Sequence, residues 1–248
     1  MNDHTVRSFD EQLQALSALV AQMGGLAEAQ VADAIESVAR RDVALAKAVV
    51  ERDNRLDALH RDIEKKAIRL IALRQPVASD LRRTLGAMKL ASDLERTGDL
   101  AKNIAKRALI LAEAEPMQPL TRSIERMGRL VSNRLRDVLD AYTASEIERA
   151  LSVWQTDDEV DEHYNALFRE LLTYMMGDPR TITACTHLLF MAKNLERIGD
   201  HATNIAETVH YEITGEEMLG ERPKAVPGPG EEPTPTPHLS ASPDAADD

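Results

Sequence analysis

The sequence predicts an all-α protein: two tandem three-helix bundles, six long helices in all, arising from an internal duplication and followed by a disordered C-terminal tail. Three observations carry this. First, Ala, Leu, Glu, Arg and Asp dominate and aromatic residues make up only 3% of the chain, a composition of helix formers that is poor in the residues strands favour. Second, prolines break the helical pattern at matching places, Pro76 and Pro179. Third, residues 91–105, ASDLERTGDLAKNIA, agree with residues 192–206, AKNLERIGDHATNIA, at ten of fifteen positions. Chance would give roughly one. Two copies make a pair of bundles rather than a solenoid.

The elements follow in order from caps and breakers. Ser8-Phe-Asp-Glu11 has capping-box spacing and opens a first helix that runs to about Arg41. Asp42 is a good N-cap for a second, which runs to about Arg74. Pro76 breaks the chain before a third helix over about 77–113. Pro116 and Pro119 mark the next turn, and a fourth helix follows over about 120–142. Thr143-Ala-Ser-Glu146 repeats the capping-box pattern and opens a fifth helix, to about Met176. Gly177-Asp178-Pro179 reads as stop, N-cap and first helical residue of a sixth, which runs to about Thr214. The division is then 8–114 for the first repeat, 115–216 for the second and 217–248 for the tail. Residues 221–248 hold seven of the eleven prolines, too little apolar surface to offset the entropy of ordering.

Charge narrows the function. The net charge is −12, and the tail's six acids and two bases account for only part of it. An acidic body argues against nucleic-acid binding and suits cations or a basic partner surface. One cysteine, Cys185, excludes an intrachain disulfide. The polar N-terminus lacks a signal-peptide core, and no apolar run approaches a membrane span. The expectation is a cytoplasmic protein with no direct membrane insertion.

The candidate site residues lie on the duplicated helices. At 100° per residue, Glu95, Asp99 and Asn103 share one face of the third helix, opposite Leu90, Leu94, Ala101, Ile104 and Ala108. Glu196, Asp200 and Asn204 repeat this on the sixth. Two acids at i and i+4 repel unless a cation sits between them, and oxygen ligands at that spacing suit a hard cation. The second and fifth helices add Asp53 and Asp57, and Asp157 and Asp161. In an antiparallel hairpin turning near Pro76, Asp57 and Asp99 lie at similar height, so each half gathers four carboxylates from two helices. Mid-helix glycines, Gly98 and Gly199, mark a close approach beside each acidic pair, for which neighbouring-helix packing is the plainer explanation.

DLERTGDLAKN and NLERIGDHATN resemble the duplicated acidic signature of the PhoU family, and all four acidic pairs fit it. The resemblance covers residues 8–214. It implies a twin three-helix bundle that binds iron, zinc or other cations, such as manganese or magnesium, at the acidic residues named above, with no organic cofactor. It further implies a negative regulator of phosphate uptake and phosphate-starvation signalling. The implied partners are the ATPase subunit of the Pst phosphate ABC transporter and a phosphate-sensing histidine kinase; a homodimer is also expected. No enzymatic activity is implied. One departure is Asn194 in place of Asp93 in the second copy, from which the two sites are expected to differ in charge and affinity. The competing reading, a ferritin-like di-metal enzyme, requires inward-facing Glu-x-x-His motifs on two helices. Only Glu207-Thr-Val-His210 has that spacing.

Overall fold

The computed structural model describes residues 2–218, with side chains from residue 9 onward. The proline-rich segment from 219 to 248, for which the sequence predicts disorder, lies outside the described residues. Helices α1 (Asn2–Arg40), α2 (Val43–Arg74) and α3 (Ser79–Leu111) form one bundle. Helices α4 (Gln118–Ala144), α5 (Ile147–Gln155), α6 (Asp158–Gly177) and α7 (Ile182–Thr214) form the other, with a 3-10 turn, Pro179–Thr181, before α7. No strand occurs among the described residues.

Several turns form where the sequence places them. The Asp42 carboxylate accepts the Leu45 amide at 2.9 Å and starts α2. Asp178 accepts the Arg180 amide at 3.0 Å across Pro179. Three boundaries differ. Helix α1 begins at Asn2, so Ser8 and Glu11 do not open it; residues 2–7 contain neither Gly nor Pro to stop the helix extending backwards. The Thr143–Glu146 capping box does not form, because the Thr143 hydroxyl donates back to the Asp140 carbonyl. Helix α4 instead continues to Ala144 and ends on a left-handed Ser145. The fifth helix is broken at Thr156-Asp157 into α5 and α6, for a reason that lies in the site itself.

The predicted apolar seams are the core. Leu90, Leu94, Ala101, Ile104 and Ala108 are buried, as are Met191, Leu195, Ala202, Ile205 and Val209. The two bundles share one hydrophobic cluster, with α3 packed on α7 and α1 on α4. The association has an internal two-fold. A Cβ on Gly24 would come within 2.6 Å of Leu139, and one on Gly128 within 2.7 Å of Ile35. Gly24 and Gly128, like Ile35 and Leu139, are 104 positions apart, so each half meets the other through the same patch.

Candidate functional site

The ten predicted site residues fall into two grooves. Between α2 and α3, Asp53 is buried, Asp57, Glu95 and Asp99 are half-buried, and Asn103 is exposed. Between α6 and α7, Asp157 is buried, and Asp161, Glu196, Asp200 and Asn204 are half-buried.

The two buried aspartates are pinned by the protein. Asp53 accepts a hydrogen bond from Gln30 Nε2 at 3.0 Å and another from the Lys102 ammonium, which also donates to Asp99 at 2.7 Å. Gln30 further donates to the Gly98 carbonyl at 3.1 Å, tying all three helices of the first bundle together. In the second bundle, Asp157 accepts from the Thr203 hydroxyl at 2.7 Å. Thr203 stands at the repeat position of Lys102. Gln30 has its own counterpart 104 positions on, the buried Arg134, which donates to the Thr156 carbonyl and, at 3.0 Å, to Glu159. A side chain inserted into the backbone ladder breaks a helix, which explains why the second copy of this helix is split while α2 runs unbroken.

The remaining carboxylates repel one another. Burial raises the Glu95 carboxyl pKa, and Asp99 and Asp57 raise it further against the pull of Arg96 and His60. At Glu196, burial and then Asp200 push the pKa up to about 7; Lys193, 3.1 Å away, opposes this and Asp161 adds to it. Glu196 Oε2 is buried with no hydrogen-bond partner. An orphaned carboxylate oxygen among like charges fits a hard cation, which would neutralise the set and complete its bonding. Among the described residues no three His, Cys, Asp or Glu side chains are grouped to hold a metal ion, so a cation held here takes further ligands from water. The i,i+4 pairs would hold it, Glu95 with Asp99 in the first groove and Glu196 with Asp200 in the second, and Asp57 and Asp161 add their charge without completing a ready-made ligand set.

The grooves differ for a reason absent from the sequence argument. Asp93, which Asn194 replaces in the second copy, lies 2.8 Å from His201 at the α3–α7 contact, and this occupies His201 as well. Within the grooves the lysine changes place: Lys102 stands where the second copy has Thr203, and Lys193, 3.1 Å from Glu196, stands where the first has Ser92. Lys102 places a positive charge beside Asp53 and Asp99. Burial pushes its pKa down, but the hydrogen bonds to both aspartates outweigh this and hold it above its ordinary range.

The mid-helix glycines are explained by packing. A Cβ on Gly98 would collide with Leu56, and one on Gly199 would lie 3.3 Å from Val160. Leu56 and Val160 are themselves repeat equivalents. Of the ferritin-like pair, Glu207 accepts from Trp154 Nε1 at 3.0 Å, and His210 Nδ1 lies 3.1 Å from the Glu216 carbonyl.

Comparison with known proteins agrees with this duplicated arrangement. The PhoU domain model matches residues 20–108 and 124–209, one match in each bundle. A Caulobacter vibrioides (strain NA1000 / CB15N) protein named phosphate-specific transport system accessory protein PhoU homolog is 68% identical over 224 residues, covering 90% of this chain and 97% of that protein. The Escherichia coli K12 protein named phosphate-specific transport system accessory protein PhoU is 39% identical over 218 residues, covering 88% and 90%. The crystal structure of PhoU from Pseudomonas aeruginosa superimposes with a TM-score of 0.82 at 39% identity, covering 84% of this chain and all of that one. The phosphate transport system regulatory protein PhoU from Streptococcus pneumoniae gives 0.78 at 32% identity, covering 85% and 99%. With its family model matched in both halves and its relatives matched along nearly their whole length, the chain belongs to the PhoU family.

Proposed function

We propose that this chain is a negative regulator of phosphate uptake and phosphate-starvation signalling. It acts in the cytoplasm, as a homodimer, between the Pst phosphate ABC transporter and a sensor histidine kinase, and its acidic grooves bind Fe, Zn, Mn or Mg. The observation that carries the reading is the pair of repeat-equivalent acidic grooves in a chain that matches named phosphate-transport accessory proteins along nearly their full length. Among the described residues no helix is long and apolar enough to cross a membrane, so the link to a transporter runs through protein contacts. It is an adaptor and not an enzyme: its relatives are named for accessory and regulatory roles, and the one Glu-x-x-His spacing is engaged elsewhere.

Within this reading the second groove is the tighter cation site, because Glu196 Oε2 stays buried without a partner even beside Lys193, whereas Lys102 already bonds Asp99 as well as Asp53 in the first. The test replaces the chromosomal copy with the Glu95→Ala/Asp99→Ala/Glu196→Ala/Asp200→Ala variant. Expression of the phosphate-starvation genes is then measured in phosphate-rich medium. The reading predicts derepression comparable to that of a deletion strain, at normal protein abundance. Full repression by the variant would remove the grooves from the regulatory function.

A further inference from the structure

A cleft of about 500 Å³ opens between α3 and α7 near the end of α7, apart from both acidic grooves. Two cations face it, Arg82 and Lys89, seven residues apart and so on one face of α3. Neither side chain has a hydrogen bond or ion pair to another described residue, and Arg82 Nε is buried without a partner. Uncompensated cations are out of place in a chain of net charge −12. Among the described residues no acid forms an ion pair with either. Glu207, which accepts from Trp154, and Glu217 line the cleft beside them, and Glu212 faces Arg83 at 3.7 Å, its pKa raised to about 7 by burial.

The internal repeat shows that the opening is specific to one half. Gly86, Lys89 and Thr208 correspond to His187, Phe190 and Arg107. At that second place larger side chains pair with one another: the Arg107 guanidinium sits 4.3 Å above the Phe190 ring, with Nη1 3.3 Å from His187. At the first place Gly86 lies against the Glu212 carboxylate, where a Cβ would come within 2.7 Å of Oε2, and the left-handed Gly215 makes room for the Arg82 guanidinium, 3.1 Å from where a Cβ would stand. A guanidinium and an ammonium aimed at one space recognise a phosphate group. The volume is that of a small-molecule site, and Leu85, Tyr211 and Met218 give it apolar walls.

We propose that this cleft binds a small phosphate ester, the phosphate on Arg82 and Lys89 and the organic body against Leu85, Tyr211 and Met218. The proposal is independent of the metal grooves, and either can fail alone. Trp154 is the only tryptophan and is bonded to the cleft residue Glu207, so it reports binding. The full-length protein is titrated with ribose 5-phosphate, inorganic phosphate and ribose, by fluorescence and in parallel by calorimetry so that silent binding is counted. Ribose 5-phosphate should bind saturably and more tightly than inorganic phosphate, and ribose should not bind. Arg82→Ala should weaken binding by roughly 10-fold or more, the loss expected for a charge-assisted contact, and Gly86→His should abolish it. Inorganic phosphate binding as tightly as the ester would overturn the role of the organic body. Absence of saturable binding by either phosphate compound, or unchanged affinity in Arg82→Ala, would overturn the site. If Gly86→His does not fold, Arg82→Ala decides alone, since Arg82 has no ion pair to lose among the described residues.

Discussion

Replacing Lys102 by Met should lower the unfolding free energy by about 3 kcal/mol, a fall in melting temperature of roughly 6–12 °C for a chain of this size. Met keeps most of the apolar stem and removes only the charge. What it leaves behind is Asp53, 3% exposed, with Gln30 as its remaining hydrogen-bond donor. Stranding a buried charge costs more than the ion pair itself contributes. Adding Asp53→Asn to Lys102→Met should therefore restore most of the loss, since a neutral amide needs no counter-charge. Urea denaturation of the two variants checks this. A double variant no more stable than Lys102→Met would show that the ammonium is a packing element and that the charge it neutralises is unimportant.

Glu196→Gln should stabilise the metal-free protein by about 2–3 kcal/mol at pH 8, and by almost nothing at pH 5. The folded-state pKa of Glu196 is raised from 4.5 to about 7, so the native state holds the proton more tightly than the unfolded chain does. Stability linked to that proton is fully present below about pH 4.5 and is lost as pH rises through about 7. The amide stands in for the protonated acid and removes the loss. Glu212, shifted by burial in the same direction, leaves a residual slope of the same sign in the variant. Denaturation curves at pH 5 and pH 8, both with chelator, measure the difference. A loss of stability at pH 8 would mean that the ionised carboxylate is favourably held by Lys193.

How much of this was legible in the sequence depends on the period of each signal. The seams and acidic faces of α3 and α7 were readable because one helical repeat fixes the face of every residue, and the duplication checked the register twice. The matching heights of Asp57 and Asp99 followed from counting residues on either side of Pro76. The pins leave only a trace in the sequence. Gln30 stands in the apolar stripe Met23, Ala27, Val31, Ala34, and Arg134 in the stripe Met127, Val131, Leu135, Val138. Polar residues at equivalent core positions 104 apart mark buried partners. What no local pattern gave was the break at Thr156-Asp157, because it is imposed by Arg134 from another helix. The cap at Thr143 failed for a related reason: its hydroxyl had a nearer acceptor in its own helix. The change from Asp93 to Asn194 predicts a difference between the grooves, yet the difference lies in where each lysine stands, Lys102 against Thr203 and Lys193 against Ser92, whose meaning appears only when α2 and α6 are placed beside them.

If the two grooves are cation sites of unequal strength, a calorimetric titration of the chelator-stripped protein with Mn²⁺ resolves them. The expected result is a tighter and a weaker class of sites. Glu196→Ala/Asp200→Ala should remove the tighter, Glu95→Ala/Asp99→Ala the weaker, and the quadruple variant both, at unchanged helix content. Binding by the quadruple variant equal to that of the unaltered protein would contradict it.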